Sequence, residues 1–222
     1  MKVTLFGGTG MVGQGLLREC LCDPEVEMVL SVVRTASGQQ HPKLRETVVK
    51  DLFALPDGGV DMSGYDACFF CLGVSSAGMS EQEYARITYD LTVTIAQFLV
   101  KQSPNMTFVF VSGQGTDSTE RGRSMWARVK GKTENAPLTL PFRASYMFRP
   151  GFIQPMHGIQ SRTKLYQVLY VVLGPLYPIL KLLFPNSVTT TEQLGCAMLK
   201  TAKNGAPQQI LENKDINALC PA

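Results

Sequence analysis

Two short stretches carry residue types whose spacing could do chemistry. In LFGGTGMVGQG, Gly7, Gly10 and Gly13 recur every three residues between an apolar run and a helical pattern. Glycines so placed let the backbone turn tightly and approach a pyrophosphate, whose charge then sits on the N-terminus of the following helix. Glycine turns are common, and it is the position directly after a first strand that makes this one specific. Gly7, Thr9, Gly10, Met11, Val12 and Gly13 are expected to bind the cofactor. In SMWARVKGK, Trp126 and Lys130 stand at i and i+4, on one helix face. An indole N–H only donates a hydrogen bond and has no usable proton to release. Such a pair can stack, shape a pocket or hold an oxygen.

The end of the second apolar run selects between dinucleotides. An Asp or Glu there would accept from a ribose 2′-OH. The sequence is SVVRTASG, without a carboxylate and with Arg34, Thr35 and Ser37 available. A guanidinium paired with a 2′-phosphate favours NADP over NAD.

The elements that must position these residues alternate along the first 150 positions. KVTLF, VEMVLSVVR, ETVVKDL, DACFFCLG, MTFVFVSG and ASYMFRPG read as six strands separated by helical or loop segments. DACFFCLG is almost continuously apolar, as a strand covered on both faces should be. A long helix runs from about Ser80, with Glu83 at capping-box spacing, to about Lys101. The expected fold is α/β: a doubly wound parallel Rossmann sheet in one domain over residues 1–222, with a small helical C-terminal cap from residues 151–205. QQILE and NKDINAL close the chain as a short strand and a terminal helix.

Within the cap, residues 165–184 are strongly apolar, but Gln167, Gly174, Pro175, Pro178 and Lys181 interrupt them. Two close prolines would break a membrane-crossing helix. A helix over about 160–173, a turn, and a second short helix ending near Phe184 are expected instead. Such a surface could enclose an apolar ligand, join two subunits in a homodimer, or make peripheral contact with a membrane.

Composition excludes other classes. Hydrophobic residues make up 45% and charged residues 18% of 222 residues, enough for a real core. A net charge of +3 without a basic block argues against nucleic acid as a partner. Six cysteines form no disulfide framework by spacing, and Cys68 and Cys71 lie where strand residues face opposite ways. No metal site and no cleavable signal are expected, and a reducing cytoplasm is the expected compartment.

Taken in order, GGTGMVG, KDL after the third strand, CLG after the fourth, VSGQG, W-x-x-x-K and FRPG resemble the atypical short-chain dehydrogenase/reductase group. Within its epimerase/dehydratase class the chain is most similar to the Tat-interacting-protein-like oxidoreductases. The resemblance implies Asp51 and Leu52 beside the adenine, and Leu72 and Gly73 beside the adenosine ribose and phosphates. It implies Ser112 on a substrate carbonyl, Lys130 on the nicotinamide ribose, and Pro150, Phe152 and Ile153 along the nicotinamide ring. Trp126 falls where the family has a tyrosine that moves the proton as hydride moves, its pKa lowered by the lysine. His157 in the substrate loop, or Tyr84 or Tyr89 after the fourth strand, would be substitutes. The resemblance thus implies an NADP-dependent oxidoreductase or epimerase acting on a small apolar carbonyl compound. The rival is a non-catalytic NADP-binding regulator whose cap engages a protein or a membrane.

Overall fold

The computed structural model describes residues 1–159 and 177–221. Seven strands form one parallel sheet in the order β3-β2-β1-β4-β5-β6-β9. They are β1 Lys2–Phe6, β2 Met28–Val33, β3 Leu44–Val48, β4 Ala67–Phe70, β5 Thr107–Val111, β6 Ala144–Arg149 and β9 Ile210–Glu212. The order reverses between β1 and β4, and ligands of open α/β sheets bind at the carboxyl ends of the strands beside such a switch.

Strand side chains alternate between two cores. Val3 and Leu5 of β1, Ala67 and Phe69 of β4, and Val109 and Val111 of β5 face one cluster. Phe6, Cys68, Phe70, Phe108 and Phe110 face the other. On the first side lie α1 (Met11–Cys22), α6 (Thr191–Asn204) and α7 (Asn213–Leu219). On the second side a short 3₁₀ turn (Leu52–Asp57) and α3 (Leu91–Gln102) cover the phenylalanines. Phe6 stacks on Phe70 at 5.5 Å, and Phe70 meets Phe108 and Phe110 at 6.1 and 5.9 Å. Cys68 and Cys71 point to opposite cores, as period-2 alternation requires.

The helix expected from Ser80 is continuous but not uniform. Its first segment, α2 (Glu81–Ala85), is closed by a full capping box between Ser80 and Glu83. One π-turn, Arg86–Asp90, then leads into α3. Next to it packs α4 (Met125–Thr139), the helix of Trp126 and Lys130.

The region 151–205 divides in two. Phe152–Gln154 (β7) pairs in parallel with Val188–Thr190 (β8) as a small second sheet. Residues 191–204, expected in the cap, instead form α6, which lies against α1 and shares the first core. A Cβ added to Gly15 of α1 would stand 2.8 Å from Thr191, and one added to Gly195 would stand 3.0 Å from Leu16. The small residues are what let these helices approach so closely. Periodicity alone did not distinguish a cap helix from a sheet-flanking one.

Cys196 and Cys220 are disulfide-bonded, with Cα atoms 6.1 Å apart, a pairing that cysteine spacing did not disclose. It ties α6 to the end of α7, two elements brought together by packing. The expected helix over about 160–173 lies outside the described residues. The second expected helix is α5, Tyr177–Leu183. No helix among the described residues is long and apolar enough to cross a membrane.

Candidate functional site

A cavity of about 670 Å³ opens at the carboxyl ends of β1, β4, β5 and β6. One end is made by the glycine loop: Gly7, Thr9, Gly10, Met11 and Val12 line it, with Leu72 and Gly73 after β4 opposite. Gly7 has φ +86°, and a Cβ there would strike the Cys71 carbonyl at 2.8 Å. Gly10 N–H donates to the Gly7 carbonyl at 2.9 Å, closing the turn. A Cβ on Gly13 would stand 2.1 Å from that same carbonyl oxygen. Gly13 therefore holds the loop down on α1 from behind and does not itself line the cavity.

The N-terminus of α1 has no side-chain cap and no acidic residue in its first turn. Its backbone N–H groups need an acceptor, and an anion is the natural one. A loop that tolerates no side chain, opening onto an uncapped helix, fits a dinucleotide pyrophosphate. Among the described residues the walls carry two cations, Arg34 and Lys130, and no carboxylate. A separate small pocket behind the loop holds Glu46, whose carboxylate accepts from the Ser37 N–H at 3.0 Å.

The other end of the cavity is made by Ser112, Gly113, Gln114, Trp126, Lys130, Pro150, Gly151 and Ile153. The Trp126 indole packs over Gly115, 3.5 Å from where a Cβ would be, at a φ of +86°. Gln114 N–H donates to the Pro150 carbonyl at 2.9 Å, and Gly151 N–H donates to Asn213 Oδ1 at 2.9 Å. These bonds tie the loops after β5 and β6 to each other and to α7. The Lys130 ammonium donates to the Ser112 main-chain carbonyl. Burial pulls the Lys130 pKa down to about 8, with the Glu134 carboxylate pulling the other way.

Beneath this end lies a buried charge cluster that the sequence reading missed. Glu134, one turn after Lys130, is 0% exposed, and Arg149 at the end of β6 is 8% exposed. The guanidinium donates from Nε to both Glu134 oxygens at 3.0 and 3.2 Å, and from Nη2 to one of them. Arg149 also pairs with Glu212 at 3.1 Å and donates to Ser118. The Ser112 hydroxyl donates to Glu134 and lies 3.1 Å from the Phe148 carbonyl oxygen. An arginine closing the largely buried ASYMFR strand was the available signal.

Four of the expected site residues are not part of the cavity wall. Gly13 lies behind the loop, as above. Asp51 caps the 3₁₀ turn by accepting from Phe53 N–H at 3.0 Å, and Leu52 is buried in the second core. Phe152 belongs to β7 and bonds from its N–H to Ser187 at 2.8 Å. Ser112 is on the wall, but its hydroxyl proton is engaged by Glu134. The suggested substitutes for the tyrosine lie elsewhere. His157 pairs with Glu192 at 2.9 Å beside α1, Tyr84 is buried, and Tyr89 lies under the Lys132 ammonium at 4.2 Å.

A Rossmann sheet with a glycine-loop cleft at its switch point is the architecture of dinucleotide-binding folds. No protein-family model matches the chain. Its sequence is similar to Protein fmp52, mitochondrial, of Emericella nidulans, 27% identical over 68% of this chain and 66% of the relative. It is similar to Protein HTATIP2 of Rattus norvegicus, 26% identical over 68% and 62%. The chain thus spans slightly under two thirds of the length of these relatives. Among solved structures, a short chain dehydrogenase/reductase from Saccharomyces cerevisiae superposes over 99% of both chains, with TM-score 0.65 and 14% identity. The Bordetella bronchiseptica enzyme WbmF, in complex with NAD+, covers 98% of this chain and 76% of its own, with TM-score 0.64 and 15% identity. The resemblance read from the motifs is therefore borne out: the chain is similar to the HTATIP2 and FMP52 proteins and has the fold of the short-chain dehydrogenases/reductases.

The cytoplasmic expectation is overturned. The FMP52 relatives from Emericella nidulans, Chaetomium globosum, Meyerozyma guilliermondii and Aspergillus terreus are all named mitochondrial. Cysteine usage could not have located the chain, because thiols persist in more than one compartment and Cys196 pairs through tertiary contact.

Proposed function

We propose that the chain is an NADP-dependent oxidoreductase acting on a small, rather apolar carbonyl compound, working in mitochondria as its fungal relatives are named to do. The observation that carries the reading is the cavity itself: a glycine-loop cradle at one end, Trp126 and Lys130 at the other, and two cations with no carboxylate among the described residues of its walls. Gly7, Thr9, Gly10, Met11 and Val12 would hold the pyrophosphate, Arg34 a 2′-phosphate, and Lys130 the nicotinamide ribose. The bound nicotinamide supplies or accepts a hydride. Trp126, Gly113 and Ile153 would form an apolar floor that keeps water from the reacting carbon, and the indole N–H can donate to a substrate oxygen.

A specific observation favours a second reading. The Ser112 hydroxyl is directed to Glu134, and tryptophan replaces the family's tyrosine, so a dinucleotide-binding protein without turnover is the rival. The exposed Ile179, Leu182, Leu183 and Phe184 of the α5 region would then meet a protein or membrane partner.

Trp126 is the only tryptophan, so its fluorescence reports from the disputed end of the cavity. Titration with NADPH and NADH should show strong quenching with preference for NADPH, weakened in Arg34→Ala. NADPH oxidation across a panel of aldehydes and ketones then separates the readings. Tight binding with no turnover favours the rival, and no binding near millimolar concentration refutes both.

A further inference from the structure

With tryptophan in the tyrosine's position, hydride transfer to a carbonyl needs a proton from some other group at the same end of the cavity. Among the described residues lining the cavity, only Cys71, Arg34 and Lys130 carry an ionisable proton. Burial pushes the Cys71 thiol up, out of the range useful near neutrality. Arginine does not release its proton in proteins. The hydroxyl of Ser112 is held by a carboxylate. His157 and Tyr89 are paired elsewhere, as described.

Lys130 is placed differently from an ordinary ribose-binding lysine. Among the described residues its ammonium donates to one group, the main-chain carbonyl of Ser112, which leaves two of the three ammonium protons for the cavity. Trp126 stands one turn before it on the same wall, and Gly113 lies beside it. The nearest carboxylate on its own helix, Glu134, is satisfied by Arg149 from β6 and by Ser112. The other charged or ionisable groups on the cavity are Arg34 after β2 and Cys71 after β4, neither of which is an anion ready to pair with the amine.

We propose that Lys130 is itself the general acid, donating a proton from Nζ to the substrate oxygen in place of the missing tyrosine. This rests on the dinucleotide reading above. As hydride from the reduced nicotinamide bonds to the carbonyl carbon, the C=O π bond breaks. The oxygen takes a proton from Nζ and becomes a hydroxyl, and the neutral amine regains its proton from water at the open mouth of the cavity. In the direction of alcohol oxidation the neutral amine is the base. A lysine whose pKa lies at about 8 is mostly protonated at pH 7 and yet gives up its proton without a large uphill step. The Ser112 carbonyl aims the ammonium, and the Glu134–Arg149 pair fixes Ser112.

The test has two arms. In the protein without nucleotide, the rate of Lys130 acetylation by limiting acetic anhydride is followed against pH by mass spectrometry. Half-maximal reactivity is expected at about pH 8, well below the ordinary lysine value of 10.5 shown by exposed lysines. In the second arm Lys130→Arg keeps the charge but cannot release a proton. At NADPH concentrations that saturate the variant by Trp126 quenching, carbonyl reduction should fall by roughly 100-fold or more. Wild-type kcat should be level below pH 8 and fall about tenfold per pH unit above it. An amine that titrates with the exposed lysines overturns the proposal, whether or not the variant folds. So does Lys130→Arg turnover with the same alkaline limb, or a wild type that binds NADPH and reduces none of the panel. Absence of NADPH quenching in the wild type overturns the dinucleotide reading and the proposal with it, whereas quenching with an ordinary Lys130 titration overturns the proposal alone.

Discussion

Glu134→Leu removes the carboxylate at the centre of the buried cluster and leaves the Arg149 guanidinium without its principal partner. The Glu134 side chain is 0% exposed and that of Arg149 is 10% exposed, so water cannot replace the lost bonds. Breaking a buried pair from one side costs about 3–5 kcal/mol, most of it the penalty of an uncompensated charge. Arg149 keeps Glu212 at 3.1 Å and Ser118, which points to the lower part of that range. At about 2–4 °C per kcal/mol for a chain of this size, Tm should fall by roughly 6–20 °C. The decisive comparison is Glu134→Leu with Arg149→Met, which removes both charges. A buried pair replaced by apolar groups of similar volume is often close to neutral. The double variant should therefore be more stable than Glu134→Leu alone. Urea unfolding followed by far-ultraviolet circular dichroism measures all three proteins. If Glu134→Leu unfolds within about 1 kcal/mol of wild type, or if the second substitution makes matters worse, the Glu134–Arg149 pair does not dominate the cluster and the reasoning fails.

Other consequences can be checked in the same preparations. Gly13→Ala places a Cβ 2.1 Å from the Gly7 carbonyl oxygen, and the loop must move by about 1 Å to relieve it, which should weaken NADPH binding by roughly 100-fold while the circular dichroism spectrum is kept. Asp23 is pushed up by burial, but its bonds from Lys203 outweigh this and hold its pKa below the ordinary value of 3.8. A depressed folded pKa contributes stability above the unfolded value and loses it as pH falls through the folded one. Between pH 5 and pH 2 the wild type should therefore lose stability more steeply than Lys203→Met, as read from Tm against pH. The Cys196–Cys220 bond closes a loop of sequence separation 24, so its removal in Cys196→Ser with Cys220→Ser should cost at most about 3–4 kcal/mol in thermal or urea unfolding.

Much of the site was legible in the chain because its causes are local. Gly7, Gly10 and Gly13 declare a backbone that must turn and touch, and their place after β1 says what the turn is for. The strand alternation of Phe6, Phe70 and Phe108 against Val3, Phe69 and Val109 is a period-2 pattern that any parallel sheet covered on both faces must show. The i to i+4 spacing of Trp126 and Lys130 is enough to put them on one helix wall.

What the sequence left open were matters of pairing between distant segments. Glu134 is a helix residue 15 positions before Arg149, and nothing local says that the two meet or that they hold Ser112. The KDL motif did not announce that Asp51 caps a short 3₁₀ turn or that Leu52 enters the second core. Residues 191–204 carried an amphipathic period that suits a cap as well as a sheet-flanking helix, and the small residues at Gly15 and Gly195 decided for the sheet. The pKa of Lys130 likewise belongs to no motif. The sequence alone determined the sheet, the cradle and the absence of a tyrosine at position 126, since backbone conformation and hydrophobic period act over a few residues. Only the tertiary structure decided which groups are buried, which are paired and which lysine is left facing the cavity, because desolvation and charge pairing depend on the elements that close over a side chain.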